Sequence, residues 1–371
     1  MTTNYAKLIE LKRSDRGELQ NVTESVIGHD GSVDLSQMEY KPFKQLQEGK
    51  LDSGRSIRMP LKEAILQPDA ANMLRNDIRF IAFANYAEAP RSFDTFTDFM
   101  DSNMPQEEYL RDAAMGSLPR VRSGDPVPMA DTSFEGGVII KNYRYAVRYG
   151  ILGDWIRFDQ IGKIAQTAEN MGRAARMTEE QAVYNYITTT GNYGRNSTTN
   201  DNDIGANTQT LTFNADSLDT ALTIIATSKD RKSGAYLGFA ADTIVIGPRM
   251  ETFVKQFLMS GDLVRAGSDT TTAETRGMGE MNPYRGLLSK IVVSPWFGAS
   301  WGWALTDSRR NSFKFQTVEP FQVGQTSQTV DSDAWRVYDN VEYMCSDYFG
   351  VGMVDDRAWF YSNSSTEPTV T

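Results

Sequence analysis

The sequence predicts an α+β protein with two lobes on one chain. Three observations lead there. Residues 149–187 read as one long amphipathic helix. Just before it, Glu107–Gly150 is broken repeatedly by proline and glycine. After it, short helices and short apolar strands give way to alternating antiparallel strands. A chain of 371 residues also exceeds what a single hydrophobic core usually organises.

From the start of the chain, Met1–Arg58 has scattered apolar residues and balanced charge, the pattern of an extended arm that orders on another surface. Pro60–Tyr86 reads as helical, with Pro68 breaking or kinking it. In the next stretch Pro119, Pro126 and Pro128 stand beside Gly116, Gly124, Gly136 and Gly137, which rules out a helix or a central strand. Val138–Tyr149 alternates as a strand. The stretch is expected to form a long two-stranded projection with its tip near Ser123–Pro126.

In the long helix Ile161, Ile164, Ala165, Ala168, Met171, Ala175, Ala182, Val183 and Ile187 recur at steps of three and four, and Asp159 is the expected cap. About 28 residues give a rod of roughly 42 Å, long enough to bridge elements. Ala168 and Ala175 lie on the apolar face, where a close neighbour is expected. Thr188–Thr210 is a polar loop. The second lobe follows: a helix over Asp216–Asp230 capped by Asp216 or Ser217, a buried strand at Asp242–Pro248, and a helix over Arg249–Gly261 closed by Gly261. Gly267–Gly286 reads as a loop. Leu287–Pro295 and Ser300–Asp307 are strands, Ala334–Ser362 reads as antiparallel strands, and the last residues are a frayed tail.

Chemistry is sparse. The formal net charge is -10, with one cysteine, Cys345, and one histidine, His29. This composition disfavours wrapping nucleic acid by counterion release and leaves no zinc ligand set and no disulfide framework. No run of about 18 apolar residues crosses a membrane, and the start has no signal-peptide pattern. The sequons at Asn21, Asn196 and Asn363 read as chance. Ser300 sits in Gly298–Gly302, a G-x-S-x-G pattern, but strand text follows where an elbow needs a helix, and the histidine lies upstream. Leu51–Gly54 contains D-S-G without the buried strand of an aspartic protease. Asp355 and Asp356 are adjacent, so in a strand they point to opposite faces. Gly277–Asn282 and Gly350–Asp355 lack the third glycine of a dinucleotide fingerprint. No catalytic residue, cofactor or metal is expected; His29 reads as solvated and Cys345 as a small core residue. A protein whose function is its own contacts fits better.

The order of these elements resembles the major capsid protein of tailed phages, of the Hong Kong 97 fold. Ser117–Gly137 looks like that family's E-loop, Arg157–Ile187 its spine helix, Asp242–Gly261 the strand, proline and helix of its A domain, Met281–Phe297 and Trp303–Asp307 a later strand pair, and Asp347–Phe360 its closing strand. The resemblance implies an arm over 1–59, a helical region entering the P domain over 60–108, the E-loop hairpin over 109–150, the P domain with its spine helix over 151–207, the A domain over 208–308, and P-domain return strands with the tail over 309–371. It implies self-assembly into hexamers and pentamers that close an icosahedral shell around double-stranded DNA. DNA would lie on the inner face without sequence-specific binding. The other partners implied are the portal protein and separate scaffolding or decoration proteins, with no membrane. The implied location is the virion capsid, and host cytoplasm during assembly. The arm is expected to be retained and to lie over adjacent subunits.

Some members of that family link subunits through an E-loop lysine. Between Leu110 and Gly137 this chain has Arg111, Arg120 and Arg122 and no lysine. Arginine stays protonated and cannot be that nucleophile. A non-covalent shell is therefore expected, with Arg120, Arg122 and Asp125 of the E-loop contacting the next subunit. The alternatives are a nanocompartment shell of the encapsulin type, which would hold an enzyme instead of DNA, and a hydrolase using Ser300, which a fluorophosphonate probe would label.

Overall fold

The computed structural model describes residues 48–50, 56–58, 68–111, 120–122, 135–158, 160–194, 206–230, 234–259, 262–263, 280–298, 301–310, 312–325 and 340–368. In chain order its elements are β1 (Glu48–Lys50), β2 (Ser56–Arg58), α1 (Pro68–Glu88), β3 (Thr97–Asp101), β4 (Gln106–Arg111), β5 (Glu135–Lys141), β6 (Tyr143–Leu152), α2 (Gly153–Arg157), α3 (Ile161–Thr188), β7 (Thr208–Gln209), α4 (Ala215–Ala226), β8 (Thr243–Ile246), α5 (Glu251–Met259), β9 (Asp262–Leu263), β10 (Glu280–Met281), β11 (Lys290–Val293), β12 (Trp303–Thr306), β13 (Phe313–Gln325), β14 (Asn340–Met353) and β15 (Trp359–Ser362). This is an α+β architecture.

Two larger sheets organise it. One runs β3-β13-β14-β6, the other β11-β8-β12-β15-β7. In the second, β8 is buried along its whole length and pairs parallel to β11 and antiparallel to β12. That position explains its unbroken apolar text, Thr-Ile-Val-Ile. β15 pairs with β12, so the last strand joins the sheet built otherwise from residues 208–306.

The long helix crosses between two hydrophobic cores. Ile164, Ala168 and Met171 pack with Phe83, Tyr86, Phe321 and Tyr343 in one; Val183, Tyr184 and Ile187 join Phe213, Trp303 and Trp359 in the other. The apolar period read from the sequence is therefore real, and each half of it serves a different core. The Tyr193 hydroxyl donates to the Ile187 carbonyl at 2.8 Å and Asn192 Nδ2 to the Tyr186 carbonyl at 2.8 Å. These bonds satisfy carbonyls that the helix end would otherwise orphan.

Several boundaries differ from the sequence reading. Tyr149–Leu152 is not helical: it completes β6, paired with β14 from Asn340 to Tyr343. Gln160, not Asp159, holds the cap position, with no side-chain cap bond; Asp159 lies outside the described residues. Pro68 starts α1 rather than kinking it, because at the first helical position its missing N–H is no loss. The cap of α4 is Asn214, whose Oδ1 accepts from Ser217 N at 2.7 Å; Asp216 and Ser217 are already inside the helix. β1 and β2 form a hairpin within the predicted arm, and β9 pairs with β10 at the base of the predicted 267–286 loop.

β13 was not legible as a strand. It has register shifts against β14 between Thr317 and Gln322, around Pro320, so no single period-two pattern runs through it. Pro320 is tolerated because β3 pairs only with Phe313–Thr317, leaving the proline beyond that ladder. Cys345 is a buried core thiol, as expected, and burial pushes it up to about 12. His29 and the tail beyond residue 368 lie outside the described residues.

Candidate assembly hairpin and its anchor

The predicted projection is present as its stem. β4 and β5 pair antiparallel, Gln106 with Lys141 through Tyr109 with Val138. Exposure alternates along β4: Gln106, Glu108 and Leu110 are exposed, while Glu107, Tyr109 and Arg111 are half-buried against the body. The Val138–Tyr149 strand of the sequence reading divides at Asn142. Its first part belongs to the stem and its second, β6, to the four-stranded sheet.

Asn142 fixes that division. Its N–H donates to the Pro105 carbonyl at 2.9 Å, and its Nδ2 to the Met104 carbonyl at 2.7 Å and Ser102 Oγ at 3.1 Å. Ser102 Oγ in turn donates to Glu107 Oε1 at 2.5 Å. Glu107 Oε2 accepts from Tyr109 at 3.0 Å and from Gln316 Nε2 at 3.2 Å. Burial pushes the Tyr109 hydroxyl above its usual range, opposed by the Gln316 hydrogen bond and reinforced by Glu107. The stem root is thus held by a hydrogen-bonded polar network that links Asn142, Ser102, Glu107, Tyr109 and Gln316.

Two glycines let the stem lie flat on β14. A Cβ on Gly350 would come 2.2 Å from Asn142 Oδ1 and 2.7 Å from the Lys141 carbonyl. A Cβ on Gly352 would meet Ile140 side-chain atoms at 2.6 Å. The Gly-Val-Gly of Gly350–Gly352 therefore serves close strand-on-strand approach, which is why no third glycine is needed.

One half-buried ion pair ties the stem to the turn that precedes β15. Arg111 Nη2 lies 2.9 Å from Asp356 Oδ1, and Arg111 Nε donates to the Val354 carbonyl at 3.0 Å. Asp356 also accepts from Gly194 N at 2.7 Å, while Asn207 Nδ2 donates to its carbonyl at 2.9 Å. It thereby ties Gly194 and Asn207 to the hairpin stem. Neighbouring Asp355 caps the short turn of Asp356–Ala358 and binds Arg357. The two aspartates sit in this turn and not in a strand.

Of the predicted contact residues, Arg120 and Arg122 are exposed, and neither pairs with a carboxylate among the described residues. Asp125 and the tip near Ser123–Pro126 lie outside those residues. Lys141 ends β5 at the base of the stem. Ala168 and Ala175 both face the first core, Ala168 fully buried and Ala175 half-buried at its edge. The closest helix approach is elsewhere: a Cβ on Gly172 would lie 2.0 Å from the Ala82 carbonyl oxygen of α1. Sequence reasoning missed Gly172, Arg111 with Asp356, and the Gly350–Gly352 pad.

Ser300 is outside the described residues, and the strand β12 follows it, not the helix an elbow requires. Among the described residues no group of three His, Cys, Asp or Glu could hold a metal, and no helix is long and apolar enough to cross a membrane.

A family model described as phage capsid protein matches residues 135–362, more than half of the chain. No curated protein matches the sequence. Solved structures similar to this chain include the procapsid of bacteriophage JBD30, 14% identical over 82% of this chain and 77% of that one, with a TM-score of 0.42. A Mycobacterium phage Bobi structure is 12% identical over 75% and 92%, at 0.47. A virus-like particle from Pyrococcus furiosus is 10% identical over 77% and 98%, at 0.44. The family match spans the hairpin's return strand, the long helix and every strand of the two larger sheets except β3, and on it the chain belongs to the phage capsid protein family.

Proposed function

We propose that this chain is the major capsid protein of a tailed phage, assembling with copies of itself into hexamers and pentamers of an icosahedral shell. Its role is structural, and its chemistry is burial and pairing between copies. The observation that supports this best is the rooted hairpin. A projection that serves only its own fold would not need a half-buried Arg111–Asp356 pair, a glycine pad and a hydrogen-bonded root to set its direction. Its stem also exposes Leu110 and Ile139, each more than half exposed, as a surface for another copy.

In this reading residues 109–150 dock on the next subunit without covalent linkage, through Arg120, Arg122, Asp125 and apolar contacts. Residues 1–59 lie over neighbours. The spine helix spans P and A domains divided near residues 207 and 308. The partners are other copies, the portal protein, scaffolding and decoration proteins, and packaged DNA held without sequence reading. Assembly takes place in host cytoplasm and the product resides in the virion.

Replacing residues 112–134 with a short glycine-containing turn tests the reading. The shortened chain is expected to keep the far-ultraviolet dichroism of the folded body and to lose shell formation in sedimentation. Shells formed as well as by the full chain would refute the hairpin's role.

A further inference from the structure

β6 stands at the edge of the β3-β13-β14-β6 sheet. One side of it pairs with β14 from Tyr143 to Leu152, and no described strand pairs with the other. An open edge of 10 residues is a template for another strand. This one has no proline to block pairing, and its Tyr143, Tyr145, Val147 and Leu152 are exposed.

The two faces of β6 ask for different things. Tyr143, Tyr145 and Val147 share the face on which Tyr149 and Ile151 join the first core. Tyr145 stacks on Phe349, 4.7 Å between ring centres. Tyr145 and Val147 also line a cavity of about 220 Å³ with Met171 and Ala175 of α3. On the opposite face Arg144, Ala146 and Arg148 stand in a row, all exposed. Arg148 lies 3.4 Å from Glu342 on the next strand, with its side chain 66% exposed, so it has room for a second carboxylate. A strand added here must offer two carboxylates four residues apart with a small residue between them, and apolar residues on its other face.

A second β6 does not meet that demand. It carries no carboxylate, and antiparallel pairing would gather four arginines on one face, which is destabilising. The segment Asp30-Gly31-Ser32-Val33-Asp34-Leu35 does meet it. Among residues 1–47, Asp30 and Asp34 are the only two carboxylates spaced by four. The segment lies outside the described residues. Residues 36–47 separate it from β1, and extended they span about 40 Å, enough to cross to an adjacent copy.

We propose that Asp30–Leu35 of an adjacent copy adds to β6 as a fifth, antiparallel strand, with Asp34 beside Arg144, Ser32 beside Ala146 and Asp30 beside Arg148. On the other face Val33 covers Tyr145 and Leu35 covers Tyr143. Main-chain hydrogen bonds hold the strand, and the opposite charges fix its register. This inference rests on the assembly reading and names which part of the arm meets which strand.

Disulfide trapping in the full-length chain tests it. Ser32→Cys and Ala146→Cys are combined in one chain, where direct opposition brings the two Cα atoms to about 5 Å, within disulfide reach. After oxidation, denaturing gels without reductant are expected to show ladders of linked chains. Wild type, which has only the buried Cys345, should not link. Val33→Cys with Ala146→Cys, which places the thiols on opposite faces, should not link either. Arg144→Glu added to the linking pair is expected to reduce the ladder, and Asp34→Arg added to that variant to restore it. Particles that form but stay unlinked overturn the pairing alone, as does linkage confined to single chains. Equal linkage of the Val33→Cys pair, or no restoration by Asp34→Arg, overturns the register. Chains that stay monomeric under the microscope overturn the assembly reading and this inference together.

Discussion

Gly172 sits in the middle of α3, where propensity alone says that alanine should stabilise the helix by about 1 kcal/mol. The packing of α1 reverses that sign. An added Cβ would stand 2.0 Å from the Ala82 carbonyl oxygen and 2.8 Å from Tyr86 N, where ordinary contact begins at 3.4 Å. Both atoms are backbone, so no side-chain rotation relieves the clash, and α1 must withdraw by about 1.4 Å locally. That movement opens the contacts of Ala82, Phe83 and Tyr86 with Ala168 and Met171. Overpacking costs about 1–3 kcal/mol, and a backbone clash belongs at the upper end. Set against the propensity gain, the net loss for Gly172→Ala is about 2 kcal/mol. Urea unfolding followed by circular dichroism measures it. Gly162→Ala is the control: it lies on the same helix with nothing within 4 Å of its added Cβ, so it should be neutral or stabilising by up to about 1 kcal/mol. If Gly172→Ala proves as stable as wild type, the close approach of α1 and α3 is wrong.

The two alanines on the same helix are expected to part company. Ala168→Leu overpacks a fully buried site and should cost about 1–3 kcal/mol, whereas Ala175→Leu extends toward the cavity of about 220 Å³ that Ala175 lines and should cost under about 1 kcal/mol; equal losses on urea unfolding would contradict the placement. Gly350→Ala meets the Lys141 carbonyl, a backbone atom that cannot rotate away, while Gly352→Ala meets only side-chain atoms of Ile140. Limited proteolysis should therefore cut the hairpin stem faster in the first variant than in the second, and identical cleavage would count against the pad. Replacing Arg120 and Arg122 together with alanine should lower shell stability most at low salt, because exposed ion pairs are weak singly and screened; a loss independent of salt would point to another cause.

What was legible in advance was local. The apolar period along α3 was readable because each core takes residues at helical spacing, Ile164, Ala168 and Met171 in one and Val183, Tyr184 and Ile187 in the other. The unbroken apolar text of β8 matched a strand buried along its whole length. What was illegible depends on partners remote in the chain. Arg111 reads as one more charge until the fold brings Asp356 to it. Gly350 and Gly352 look like a fragment of a nucleotide loop until Lys141 and Asn142 cross over the first and Ile140 over the second. Gly172 looks like a weak point in a helix, although it is where α1 comes closest. The bulged register of β13 hid a long strand for a different reason: its alternation changes phase around Pro320.

Electron microscopy of the full-length chain, expressed by itself and purified, tests the central claim most directly. Closed shells, or six-membered and five-membered rings of the same chain, are the predicted result. A dispersed, well-folded monomer that forms no particle at high protein concentration would contradict it.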